Sequence, residues 1–151
     1  MLNLKEQRKI INSKPFRRLS DKTQVLALDH RNAQVRTRMT HSLEVASIGQ
    51  EISSNIGQIL DYKLNSDLVY NVCLLHDIGM PPLGHLGEVT LNEVSNMLHD
   101  IDFEANANNL VIIEKSLSTI SALTIVSTIK YPFLIKGNKK GKGLYKKQYE
   151  K

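Results

Sequence analysis

The run from His76 to Glu88, His-Asp-Ile-Gly-Met-Pro-Pro-Leu-Gly-His-Leu-Gly-Glu, constrains this chain more than any other feature. Ahead of it, Leu68, Val69, Val72, Cys73 and His76 recur at helical spacing on one face, so His76 extends an apolar stripe into an interior. Behind it, Gly79, Pro81, Pro82 and Gly84 end that helix and impose a rigid turn. Neighbouring side chains on a helix diverge by about 100°, so a cation placed between His76 and Asp77 needs ligands from another element. A lone His on such a face is ordinarily a core imidazole bonded to a carbonyl. The Asp that follows shifts the reading toward a metal, because a buried carboxylate is costly without a partner and a cation offsets that cost.

His41 is the natural third ligand. It opens a segment in which Val45, Ile48, Gly49, Ile52, Ile56 and Ile59 form a second helical stripe, and residues 41 and 45 share that face, so His41 is expected to point inward. Two imidazoles and a carboxylate suit a borderline divalent ion. Carboxylate and water favour Mn or Mg and imidazole favours Zn, Fe or Ni, and these residues do not choose among them.

Past the turn, His85 and Glu88 stand three residues apart, neighbours on a helix. Glu88 can orient His85 and raise its basicity, as a general acid/base or nucleophile-activating pair requires. The plainer alternative is a solvated helix start in which Glu88 complements the helix dipole.

Other segments also read as helix. A short polar helix is expected over Leu4 to Ser13, and Pro15 starts a second over Phe16 to Lys22. A loop with Asp29, His30 and Asn32 leads to the His41 helix. Leu91, Val94, Leu98 and Ile101 make another amphipathic helix, and Leu117 to Lys130 reads as a final helix or, on the propensity of its β-branched residues alone, as a strand. His30 and His99 read as surface residues, and no internal repeat is evident.

At 151 residues the chain suits one domain, and 41% hydrophobic content is adequate for a core. No run approaches the roughly 18 apolar residues of a membrane span, and the charged amino terminus lacks the apolar stretch of a signal peptide. Cys73 is the only cysteine and reads as a core residue, which makes cytoplasm the reasonable compartment. Of the net charge of +5, residues 136–151 carry seven Lys against Glu150, a net of +6, which leaves −1 for residues 1–135. A helical domain over 1–135 followed by a flexible Lys/Gly-rich tail over 136–151 is therefore expected. Such a tail can bind nucleic acid weakly through phosphates, or be a loop that has lost its context.

The order His41, then His76-Asp77, resembles the HD phosphohydrolase superfamily, and the flanking blocks resemble its deoxyguanosine triphosphate triphosphohydrolase (dGTPase) branch. Arg17 to Val25 is similar to that branch's N-terminal substrate segment. Arg36 to Glu44 and His76 to Glu88 match its metal-ligand and central blocks, while Phe103 to Asn108 and Lys130-Tyr131-Pro132 match two later ones. The resemblance implies an all-α HD-domain fold, often hexameric. It also implies metal-dependent cleavage of a deoxynucleoside triphosphate, dGTP foremost, to the deoxynucleoside and triphosphate. By position, His41, His76 and Asp77 become metal ligands and His85 and Glu88 the catalytic pair. Arg38 becomes an α-phosphate contact, Gln24 a reader of the deoxyribose, and Asn106, Lys130 and Tyr131 phosphate-region residues.

One departure bears on this. The superfamily's metal site is completed by a second Asp on a later helix, and this sequence has no Asp after Asp102. The chain thus reads as the N-terminal portion of a longer protein. Met80, Leu83 and Ala105 depart from the family text without removing a named functional group. The reading of a different class is a truncated or regulatory HD-fold protein. It would bind nucleotide, nucleic acid or a full-length homologue without turnover, with apolar surface exposed where further helices would pack. An HD phosphohydrolase acting on a monophosphate or cyclic nucleotide fits the metal residues but not the flanking blocks.

Overall fold

Polar side chains cap five of the eight helices among the residues that the computed structural model describes, 2–24, 36–135 and 142–149. Helix α1 (Leu2–Ile11) leads to Ser13, whose hydroxyl accepts from Phe16 N–H and caps α2 (Lys14–Arg17). Thr37 caps α3 (Arg38–Ile59), and Asn65 caps α4 (Ser66–Leu75). Helix α5 (Gly84–His99) begins without a side-chain cap. Glu104 caps α6 (Ala105–Ser116), Ser121 caps α7 (Ala122–Ser127), and α8 (Lys146–Tyr149) is a single turn. Each side-chain cap satisfies a backbone donor that the helix cannot.

The fold is all-α, as expected. Among the described residues there are only two isolated bridges, Thr23 with Thr37 and Leu134 with Leu144, and no strand. No described helix is long and apolar enough to cross a membrane.

The core gathers Ile10, Phe16 and Leu19 from the amino-terminal elements, Leu74, Leu75 and Ile78 from α4 and the turn after it, and Ile113 with Leu117 from α6. Glu6 makes α1 more than a polar surface helix. Its buried carboxylate accepts from Ser121 N–H at 2.6 Å and Thr124 Oγ1 at 2.7 Å, tying α1 to the start of α7.

Several expected elements differ. The second helix tightens after Arg17 into a 3-10 turn over Arg18–Asp21 instead of running on to Lys22. The helix expected over Leu117 to Lys130 is broken: Leu117 ends α6, and α7 starts only after Ser121, whose hydroxyl and N–H both find partners at the break.

The stripe expected to bury α3 lies mostly in solvent, with Ile48, Ile52, Ile56 and Ile59 all exposed. The inward face is made of Ser42, Ala46, Gly49 and Ser53, because α4 lies too close for larger groups. A Cβ on Gly49 would sit 2.8 Å from Cys73 Sγ. Helix α5 likewise exposes Leu91, Val94 and Leu98, with Ile101 just beyond it, and buries only Gly84 and Glu88.

His99 is exposed as expected, while His30 and its loop lie outside the described residues. Residues 133–135 pair with the described part of the expected tail. Ile135 N–H donates to Leu144 O at 3.1 Å and Leu144 N–H to Phe133 O at 2.7 Å, with Ile135 and Leu144 both buried. The described part of the expected flexible tail is thereby seated on the domain.

Candidate metal centre and adjoining cleft

His76 caps the carboxyl end of α4, and its Nδ1 lies 2.7 Å from the carbonyl of Cys73. With that nitrogen donating, Nε2 keeps its lone pair for a ligand, so the carbonyl-bonded and metal-binding readings of this histidine hold together. His41 stands in the first turn of α3, its ring centroid 5.3 Å from that of His76. Asp77 lies in the turn after α4, with Oδ1 3.6 Å from His76 Nε2. One ligand atom from each of the three residues falls within 4.8 Å of the others. Donors about 2.1 Å from one ion lie up to roughly 4 Å apart, so a small ring rotation closes the cluster. Two imidazoles and a carboxylate therefore fit a divalent ion with positions left for water.

Cys73 is not part of the cluster. Burial pushes its thiol pKa up, which keeps it a protonated core group.

The turn holding Asp77 is clamped from α6. Asn109 Nδ2 donates to His76 O at 2.7 Å while its Oδ1 accepts Gly79 N–H, and Asn108 Nδ2 donates to Gly79 O at 2.8 Å. Gly79 is required by proximity, since a Cβ there would meet Asn109 N at 2.4 Å and Ala105 O at 2.6 Å. The sequence reading missed Asn109. The available signal was the adjacent amides Asn108-Asn109 directly before the apolar run Leu110 to Ile113.

A cleft of about 430 Å³ opens beside the cluster, lined among others by Gln24, Arg38, His41, Asp77, Gly84 and His85. Arg38 is buried and donates from Nη1 to Asp77 Oδ2 at 2.8 Å, so it partners a candidate metal ligand. Gly84 makes room for that guanidinium: its φ is +60°, and a Cβ would lie 2.6 Å from Arg38 Nη2. Arg38 Nε and Gln24 Oε1, from two residues that line the cleft, are buried without hydrogen-bond partners among the described residues. Lys22 sits at the same edge, donating to Met80 O at 2.7 Å. Burial, then the charges of Arg18 and Arg38, push its ammonium pKa down.

His85 and Glu88 form the expected pair. His85 Nδ1 lies 3.1 Å from Glu88 Oε2, with the imidazole 85% exposed at the cleft and the carboxylate 8% exposed. Glu88 Oε1 accepts from Ala105 N–H at 3.1 Å and from Lys142 Nζ at 2.9 Å. Burial pushes Glu88 up, but the hydrogen bonds from Lys142, Ala105 and His85 outweigh it and hold the carboxyl below its ordinary range.

Asn106, Lys130 and Tyr131 do not line this cleft. Asn106 donates to Glu104 at 2.6 Å, and the Lys130 ammonium lies 5.4 Å from the Tyr131 ring centre.

The profile of the HD domain family matches residues 38–131, from the start of α3 to the Lys-Tyr-Pro block. The chain belongs to the HD domain family. It is 42% identical over 111 residues to the deoxyguanosinetriphosphate triphosphohydrolase of Salmonella schwarzengrund, an overlap covering 64% of this chain and 22% of that protein. To the protein of the same name from Cronobacter sakazakii it is 43% identical over 118 residues, or 69% and 22%. To the deoxyguanosinetriphosphate triphosphohydrolase-like protein of Shewanella loihica it is 39% identical over 139 residues, or 85% and 31%. The chain thus spans between about a fifth and a third of the length of these relatives.

Proposed function

We propose that this protein is a metal-dependent phosphohydrolase whose substrate is a deoxynucleoside triphosphate, dGTP foremost. The observation that carries the reading is the single cleft shared by His41, Asp77, Arg38, Gln24 and His85, with His76 closing the ligand set. Similarity to proteins named deoxyguanosinetriphosphate triphosphohydrolase supports the choice of substrate.

His41, His76 and Asp77 would hold the ion, with Mn or Mg the first candidates and Fe, Ni, Co or Zn admitted by the imidazoles. When bound, it supplies Lewis acidity at a phosphoryl oxygen and a site for the attacking water. The protein's part is positioning and proton transfer. His85, with Nδ1 fixed by Glu88, presents Nε2 to the cleft to move a proton between water and the leaving 5′-oxygen. The guanidinium of Arg38 offers its unpartnered Nε to the α-phosphate, where charge develops. Gln24 Oε1 is an acceptor for a sugar hydroxyl. Asn106, Lys130 and Tyr131 keep a phosphate-region assignment on the resemblance alone. A nucleotide enzyme of this kind would work in the cytoplasm.

Chromatographic detection of deoxyguanosine and triphosphate from dGTP with added Mn, beside a His76→Ala control, tests the reading. Product formation abolished by the substitution supports it, and no product from folded protein removes it.

A second reading is favoured by the exposed Ile48, Ile52, Ile56 and Ile59 of α3 and the Leu86, Val89, Val94 and Met97 of α5. Apolar surface of that extent suits an HD-fold protein that pairs with another copy or a longer homologue, and binds nucleotide or nucleic acid without turnover.

A further inference from the structure

Lys142 stands between two carboxylates that the fold has taken out of water. Its Nζ is 2.9 Å from Glu88 Oε1 and 3.4 Å from Glu104 Oε1, and those side chains are 8% and 1% exposed. Glu104 is already spent on local structure, accepting Ala107 N–H at 2.7 Å as the cap of α6 and Asn106 Nδ2 at 2.6 Å. Glu88 receives Ala105 N–H from the same helix start and His85 from its own helix. Two buried acids facing one cation resist joint ionisation unless that cation stays, because like charges raise each other's proton affinity.

The segment that delivers Lys142 is fixed at further points. Leu144 pairs with Phe133 and Ile135 through the backbone, Tyr145 Oη accepts Glu104 N–H at 3.2 Å, and Gln148 Nε2 donates to Ala107 O at 2.9 Å. A lysine held by anchors on both the 133–135 segment and α6 is not a solvated charge that met an acid by chance.

We propose that Lys142 is a positioning residue for the His85–Glu88 pair, its ammonium keeping Glu88 ionised, beside Glu104, and aimed at His85. The assignment rests on the hydrolase reading. It moves one lysine of the basic carboxyl-terminal stretch from the class of general phosphate attraction to the construction of the acid/base pair. Lys142 does not line the cleft, so its effect on the acid/base pair passes through the carboxylate it holds, Glu88. The groups facing Glu88 are His85, Lys142 and the Ala105 N–H, with Glu104 and Tyr145 behind them.

The test compares the whole chain with Lys142→Met and Lys142→Arg. Carbon-13 spectra of the glutamate carboxyls follow Glu88 through acid titration without metal, Mn titration reports the His41–His76–Asp77 cluster, and dGTP turnover gives kcat and KM. In Lys142→Met, Mn affinity stays within about twofold and the Glu88 midpoint rises by about one pH unit or more. In the same variant kcat falls at least about tenfold, with KM changed less than about threefold. Lys142→Arg recovers at least half of both effects. A folded Lys142→Met with the wild-type Glu88 midpoint overturns the proposal, as does an unchanged kcat. If Lys142→Met does not fold, Glu104→Gln decides. Removing the Glu104 charge that shares Lys142 must lower the Glu88 midpoint, and no movement overturns the proposal. If the wild-type chain hydrolyses nothing, the hydrolase reading falls by itself, and the carboxyl titration still decides whether Lys142 governs Glu88.

Discussion

Asn109 bridges the two ends of the turn that carries Asp77, donating to the carbonyl of His76 at 2.7 Å and accepting the N–H of Gly79 through the same amide. Neither backbone group has a helical partner at that point, so α6 and not α4 fixes the direction of the candidate metal carboxylate. A metal site here depends on a residue that touches no metal.

Asn109→Ala removes both bonds and leaves one buried and one half-buried backbone group without this partner, the buried one costing about 1 to 3 kcal/mol. The expected outcome is a loss of several kcal/mol in urea unfolding, together with a fall in Mn affinity of about tenfold or more, as for other outer supports of metal ligands. A variant that keeps wild-type Mn affinity after losing stability would show that the turn holds its shape unaided.

The buried pair of Arg38 and Asp77, 2.8 Å apart and 6% and 9% exposed, makes a second prediction about the metal-free protein. Asp77→Ala leaves the guanidinium buried and uncompensated, a loss of about 3 to 5 kcal/mol. The double variant Arg38→Met, Asp77→Leu replaces charge by apolar volume and should regain most of that stability while binding no Mn. Denaturant midpoints of the three proteins check it. Equal destabilisation in the single and double variants sinks the idea that an uncompensated charge is the cause.

The His85–Glu88–Lys142 chain sets an acid limit. Glu88 has its pKa held below the ordinary range in the folded state, so it contributes stability above that range and loses it as pH falls through the folded value. For Lys142, burial pulls the ammonium down but the hydrogen bond and charge of Glu88 raise it further, so its contribution is present at neutral pH and lost only as pH rises through its raised value. Melting temperatures taken from about pH 7 down to about pH 3 should therefore fall more steeply for the wild type than for Glu88→Gln. Parallel curves would mean that other carboxylates carry the acid limb.

The proximity of His76 to Asp77 and of His85 to Glu88 was legible because local spacing fixes it: the first two are adjacent, the second two share a helix turn, and glycine and proline punctuate the stretch between, whereas His41 joins the candidate cluster from another helix. Long-range supports left weaker signals. Asn109 and Lys142 act across 33 and 54 positions, and nothing in their own neighbourhoods reveals whom they bond. The inward face of α3 was misjudged for a different reason. Periodicity locates an apolar stripe but not what lies against it, and close approach to α4 at Gly49 and Cys73 selected the face of small residues instead.

That reversal of α3 gives the last prediction. Ile52 is 52% exposed and Ile59 82% exposed, so a charged side chain at either position loses little that the folded monomer uses. Ile52→Lys and Ile59→Lys should each change unfolding free energy by less than about 0.5 kcal/mol, as surface substitutions do. Ala46→Val, on the fully buried opposite face, should cost about 1 to 3 kcal/mol by overpacking against α4. The lysine variants should also reduce association at high concentration, since they place charge on an exposed apolar patch. A loss of several kcal/mol at Ile52 would mean that the stripe is buried in solution, either by a second copy or by a different packing of α3. Sedimentation at two concentrations separates those causes, because burial by a copy weakens on dilution whereas burial within one chain does not.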